Sequence, residues 1–179
     1  MPADPLGGGT DADGRNADYA DAALFLGMNS ADEELRVACK AFFAARLAGR
    51  LVMSLEQVGR CDDVIWGYGR ELQDAYYPFM DNLHTVMDIR RLGYDEADVR
   101  HALDDGGTPA GLPVHERLLL GMVGNRKGLL HTASPRLLDH PGLPVRAPAP
   151  VTGSEPAFPE PLEALYRQSL VLRISADAL

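Results

Sequence analysis

The run ERLLLGMVGNRKGLLHTASPRLL, residues 116–138, opens on an acid and closes on hydroxyls. Glu116 begins an amphipathic helix, Asn125-Arg126-Lys127-Gly128 makes a turn, and Leu129 to Thr132 reads as a short buried strand. The strand runs out into Ala133-Ser134-Pro135. Two more acids stand at comparable points. Asp21 interrupts the apolar run Tyr19 to Leu26, and Glu56 follows the short apolar run Leu51-Val52-Met53. A charge inside an apolar run must be paired or act as a ligand, because burying it unpaired is costly. Glu56 and Glu116 also suit the positive end of a helix dipole, which is the plainer role for each. Together the three raise the chemistry of an acidic metal site. Asp62 and Asp63, further along the helix of Glu56, read first as solvated acids.

A second group lies in QDAYYPFMDNLHT, residues 73–85. Aromatics mixed with polar groups suit a ligand pocket. Asp81 and His84 are three apart and share a helix face, where they could supply a base or metal ligands. Tyr77 stands beside them in sequence, and a core aromatic cluster with a satisfied His is the alternative. His131 sits next to Thr132 and could serve a site or simply fill a buried strand edge.

These residues need elements to position them. Residues 1–17 are rich in Gly, Asp and Pro and read as a flexible arm. Tyr19–Leu26 reads as a strand. Ser30 and Glu33 form a capping box for a helix over 31–48, and Ser54 with Gln57 forms another directly after the strand Leu51–Met53. Gly67 and Gly69 predict a break. Helix is expected over 71–79 and 81–92, interrupted at Pro78, and again over 95–103. Residues 104–109 read as a loop and Leu143–Val145 as an edge strand. Residues 148–179 read as a Pro-rich connector and an amphipathic terminal helix. Short apolar strands alternating with helices predict a single α/β domain over 18–147, a three-layer α/β/α sandwich on a central parallel sheet. Ligands in such folds gather beyond the carboxyl ends of the strands, where the acids stand.

In this order of elements the chain resembles the PIN domain, a fold of metal-dependent ribonucleases. YADAALFL resembles the family's first strand with its Asp at Asp21, and residues 116–134 resemble its acid, helix, Gly turn, strand and Thr. HPGLPV, His140 to Val145, resembles its closing strand. The resemblance implies a PIN-like nuclease that holds Mg2+ or Mn2+ through Asp21, Glu56 and Glu116, with Asp63 as a further candidate ligand. It implies catalytic roles for Asp21, Glu56, Glu116 and Ser134. Thr132 and His131, beside the expected acidic cluster, would contact substrate. Tyr77, Asp81 and His84 lie in a segment that PIN nucleases do not need and would contact substrate in a specialised small-molecule site. The chain departs from the family at Ser134, where an Asp is usual, and Arg60 occupies the expected middle-acid spacing. RNA is the implied substrate. A degenerate binding module and a metal-assisted enzyme on a small molecule remain the other readings.

The 179 residues carry a net charge of −9, which argues against a general nucleic-acid binder built on Lys and Arg. Cys39 and Cys61 form no C-x-x-C pair, so cysteine-bound zinc is not expected. With no secretory pattern and no apolar run of membrane-span length, the expectation is a cytoplasmic, bacterial protein. The terminal helix offers a homodimer surface.

Overall fold

The computed structural model describes residues 13–104 and 108–179. Residues 1–12 of the expected arm, and 105–107 of the expected loop, lie outside the described residues. The strands are β1 (Asp18–Ala20), β2 (Arg50–Ser54), β3 (Asp88–Leu92), β4 (Leu129–His131) and β5 (Val145–Arg146). They form one five-stranded sheet in the order β3-β2-β1-β4-β5, and all its pairings are parallel. The helices are α1 (Ala22–Gly27), α2 (Glu33–Ala44), α3 (Leu55–Trp66), α4 (Arg70–Val86), α5 (Glu96–Leu103), α6 (Val114–Asn125), α7 (Pro135–Leu138) and α8 (Leu162–Ser169).

Strand side chains alternate between two cores, as the period of two requires. Ala20, Leu51 and Met53 face a core built with α1, α2, α4 and α8. Tyr19, Val52 and Leu130 face a second core with Leu119, Leu120 and Val123 of α6 and Leu137 of α7. A parallel sheet covered on both faces is the expected α/β/α sandwich.

Several local expectations change. The strand expected over Tyr19–Leu26 stops at Ala20, and α1 begins at Ala22. Asp21 makes the break: its backbone is extended and its side chain accepts from the Leu24 amide, capping the helix. Ala22 to Gly27 are all buried, so α1 shows no polar stripe that would have announced a helix. Asp32 rather than Ser30 caps α2, accepting from the Glu34 and Leu35 amides. Ser54 does cap α3, through the Gln57 amide. α4 runs unbroken through Pro78; Pro78 and Asp74, whose carbonyl loses its helical donor there, are both exposed residues. Residues 88–92, expected as helix, form edge strand β3 in register with β2.

The chain after residue 147 packs back on the domain. Phe158, Leu162, Tyr166, Leu172 and Ile174 are buried in the first core. Arg36 and Lys40 of α2, each nearly fully buried, pair with Glu155 and Lys40 also with Glu163. The terminal helix thus spends its apolar face on its own chain. Among the described residues, no helix is long and apolar enough to cross a membrane.

Candidate functional site

From β1 the chain builds one side of the sheet through β2 and β3, then returns to place β4 and β5 on the other. The order therefore reverses between β1 and β4, where a crevice opens beyond the strand ends. Asp21 directly follows β1, and Thr132 to Ser134 directly follow β4. Pairing of Ala20 with His131 sets Asp21 beside Thr132. The Thr132 hydroxyl donates to Asp21 Oδ2 and accepts from the Ser134 amide at 3.0 Å. Asp21 Oδ1 accepts from the Leu24 amide at 2.9 Å.

Three further elements, together with Ala178 and Leu179, complete the walls. One face of α3 presents Gln57, Arg60 and Val64, at the i, i+3, i+7 spacing of a single helix side. Gln57 Oε1 accepts from the Ala22 amide at 3.0 Å, tying α3 to the first turn of α1. The start of α6 brings His115 and Glu116, and α7 brings Arg136. These groups surround a cavity of about 130 Å³.

Asp21 is 3% exposed and Glu116 8%. Burial pushes the Asp21 carboxyl up to about 6, and the negative charge of Glu116 pushes the same way. The hydrogen bonds from Thr132 and Leu24 oppose that rise without cancelling it. Glu116 Oε1 lies 3.7 Å from Arg136 Nη1, while Glu116 Oε2 is buried without a hydrogen-bond partner. Burial, with the Arg60 charge second, lowers the His115 pKa and favours its neutral form. Two carboxylates, two guanidinium groups and a neutral imidazole therefore share one crevice.

The structure brings four of the sequence candidates together here: Asp21, Glu116, Thr132 and Ser134. Others stand elsewhere. Glu56 accepts from the Tyr94 hydroxyl at 2.6 Å and does not line the crevice. Asp63 is exposed on α3 and also outside it. The His131 ring packs on Phe42 of α2, 4.7 Å between centroids, with Nε2 3.1 Å from Asp18 Oδ1. Tyr77, Asp81 and His84 line a separate cavity against the other side of α3. Sequence reasoning read Gln57 only as a capping partner and singled out neither His115 nor Arg136. The polar pair Gln57 and Arg60, three apart, was the available signal for the α3 wall.

Among the described residues, no three His, Cys, Asp or Glu side chains gather as a metal cluster. A metal in the crevice would rest on Asp21 and Glu116. That donor set fits Mg2+ or Mn2+ bound partly through water and substrate phosphate, since Mg2+ commonly takes one or two carboxylates. The unpartnered Glu116 oxygen is the donor atom left over for it.

A model described as Family of unknown function (DUF6190) matches residues 13–179. The chain belongs to that family. No curated protein matches it. The DUF6190 assignment overturns the resemblance to the PIN family, because the matching model is not of a PIN-like family and covers nearly the whole chain. The motifs behind that resemblance were short. A cap after a first strand and an acid opening a late helix are features of helix starts in general and do not single out one family. Two of the four implied metal ligands, Glu56 and Asp63, also lie outside the crevice of this DUF6190 chain.

Proposed function

We propose that this protein is a divalent-metal-assisted phosphodiesterase acting on RNA in the cytoplasm. The observation that carries the reading is the pairing of Asp21 and Glu116. They come from opposite parts of the chain, are both buried in one crevice, and repel each other. A fold tolerates such a pair at a cost in stability, and a cation between them removes that cost.

Asp21 and Glu116 would hold Mg2+ or Mn2+, which supplies Lewis-acid stabilisation of phosphate charge and a more acidic bound water. Thr132 fixes the Asp21 carboxylate, and Gln57 holds α3 against α1 so that Arg60 stays at the crevice. Arg60 and Arg136 bind the phosphate oxygens, the pairing for which guanidinium groups are suited. His115, kept neutral, is the group able to accept a proton. A cavity of about 130 Å³ suits an ion and one phosphate group, with the remaining nucleotides outside. Unpaired Cys39 and Cys61 accord with a reducing compartment.

The test is cleavage of a labelled single-stranded RNA and of bis(p-nitrophenyl) phosphate with Mn2+ or Mg2+. Activity should vanish in Asp21→Asn and Glu116→Gln and weaken through KM in Arg60→Gln. Metal-independent cleavage, or cleavage unchanged in both acid variants, would refute the proposal.

One observation favours a second reading, a catalytically degenerate binding module. The inner polar position of α3 is an amide, Gln57, engaged with the Ala22 backbone, so the crevice has two acids rather than three. That reading predicts phosphodiester binding without cleavage, insensitive to EDTA and lost in the Arg60→Gln, Arg136→Gln double variant.

A further inference from the structure

A second cavity, about 440 Å³, lies between α3 and α4 against β2 and β3. It shares no lining residue with the crevice of Asp21 and Glu116, because α3 presents Val58, Cys61 and Asp62 to one cavity and Gln57, Arg60 and Val64 to the other. Met53, Tyr76 and Met80 are its buried residues, while Asp62, Asp81, His84 and Arg91 are more accessible. An apolar floor with a few polar groups at its edge is the usual anatomy of a small-molecule site.

Two features point to a ligand. The Tyr76 hydroxyl is buried, 1% exposed for the residue, and has no hydrogen-bond partner. Buried tyrosine hydroxyls are normally satisfied, and one left without a partner is destabilising. Nothing in the packing of α4 requires that oxygen: a phenylalanine would fill the same floor. The second feature is charge. Arg91 Nη2 lies 2.8 Å from His84 Nδ1. A guanidinium can only donate, so Nδ1 is the acceptor and His84 is neutral. Burial and the Arg91 charge also hold the His84 pKa down at about 4. Asp62 and Asp81 therefore outnumber the single Arg91 charge at this edge, and Asp62 is already oriented by the Tyr77 hydroxyl at 3.0 Å.

We propose that this cavity binds a compact aromatic amine, its ammonium group on Asp62 and Asp81 and its polar inner end hydrogen-bonded to the Tyr76 hydroxyl. The aromatic body lies on Met53 and Met80, where thioether contacts with a ring are favourable. Tyr77 stands beside the ammonium end and adds an aromatic wall to the cation site. The site is independent of the phosphodiesterase reading and stands if that reading fails.

The probe is tyramine, which carries a phenol at one end and an ammonium at the other. Its uncharged analogue 4-ethylphenol and its acidic analogue 3-(4-hydroxyphenyl)propionate serve as comparisons. Binding to the full chain at pH 7 is followed by NMR of 13C-methyl methionine. The Met53 and Met80 methyl signals should shift with tyramine, with the uncharged analogue at least several-fold weaker and the acid weakest. Asp62→Asn with Asp81→Asn should weaken tyramine about tenfold and erase its advantage over 4-ethylphenol. Tyr76→Phe should leave the fold intact and weaken tyramine about fivefold. No shift of either methyl up to millimolar tyramine would overturn the proposal. So would the acid binding as tightly as the amine, or full tyramine affinity in a folded Tyr76→Phe variant.

Discussion

Asp21→Asn should make the protein more stable at neutral pH while removing the proposed metal-dependent cleavage. The carboxyl of Asp21 rises from 3.8 to about 6 on folding, chiefly through burial. A folded pKa raised above the unfolded one means that the native state prefers the protonated acid. Well below 3.8 both states are protonated and the group costs nothing. As pH climbs through the window from 3.8 to about 6, the unfolded state ionises first and stability falls. At about 1.4 kcal/mol per unit, the full penalty above pH 7 is about 3 kcal/mol. Asparagine keeps the acceptor for the Leu24 amide and the cap of α1, and its amide can donate to the Thr132 oxygen. It carries no charge to repel Glu116. Urea unfolding of the wild type and the variant, metal-free, at intervals from pH 4 to 8 reads the difference directly. The variant should gain little at pH 4 and about 2–3 kcal/mol at pH 7.5, with most of the change between pH 4 and 6.5. A difference that is flat with pH, or a variant less stable throughout, would refute the argument that burial and Glu116 strain this carboxylate.

Further predictions concern the scaffold. Asp98→Ala leaves the Arg126 guanidinium buried without its main partner between α5 and the turn into β4, and should cost about 3–5 kcal/mol in urea unfolding. Gly121→Ala places a Cβ 2.5 Å from the Ala102 Cβ and 2.6 Å from the Asp98 carbonyl oxygen, so α5 and α6 must separate; a loss of about 1–3 kcal/mol is expected. Pro78→Ala restores a backbone donor inside α4 and should raise the melting temperature, by about 1–3 kcal/mol of added stability. Glu155, held down at about 2 chiefly by the Arg36 guanidinium and also by Lys40, supports the C-terminal segment above its unfolded value of 4.5. That support should fade as pH falls from 4.5 towards 2, and amide exchange in α8 should accelerate there ahead of the sheet.

The sheet was legible where strands were short apolar runs bounded by clear signals. Leu51 to Met53 followed by the Ser54 cap is such a case, and Leu129 to His131 is another. Strand β3 was not, because Asp88, Arg90 and Arg91 give it the charge of a surface helix. At a sheet edge those charges are what keeps a strand from pairing further. Helix α1 was hidden for the opposite reason: buried on all sides, its residues show no period to separate helix from strand. In the crevice, Asp21 was visible as a charge in an apolar run and Glu116 as an acid opening a helix. His115 and Arg136 carry no such mark. They reach the crevice only because α6 and α7 flank β4, a consequence of tertiary placement rather than of local pattern.

The proposed function requires that Asp21 and Glu116 together hold a divalent cation. Calorimetric titration of the full chain with Mn2+ tests it, at pH 7.5 and again at pH 5.5, on the wild type and on the Asp21→Asn, Glu116→Gln double variant. One site per chain is expected, weaker at pH 5.5 because the Asp21 proton must leave, and absent in the double variant. Equal Mn2+ binding by the wild type and the double variant, or no binding by the wild type at pH 7.5, would contradict it.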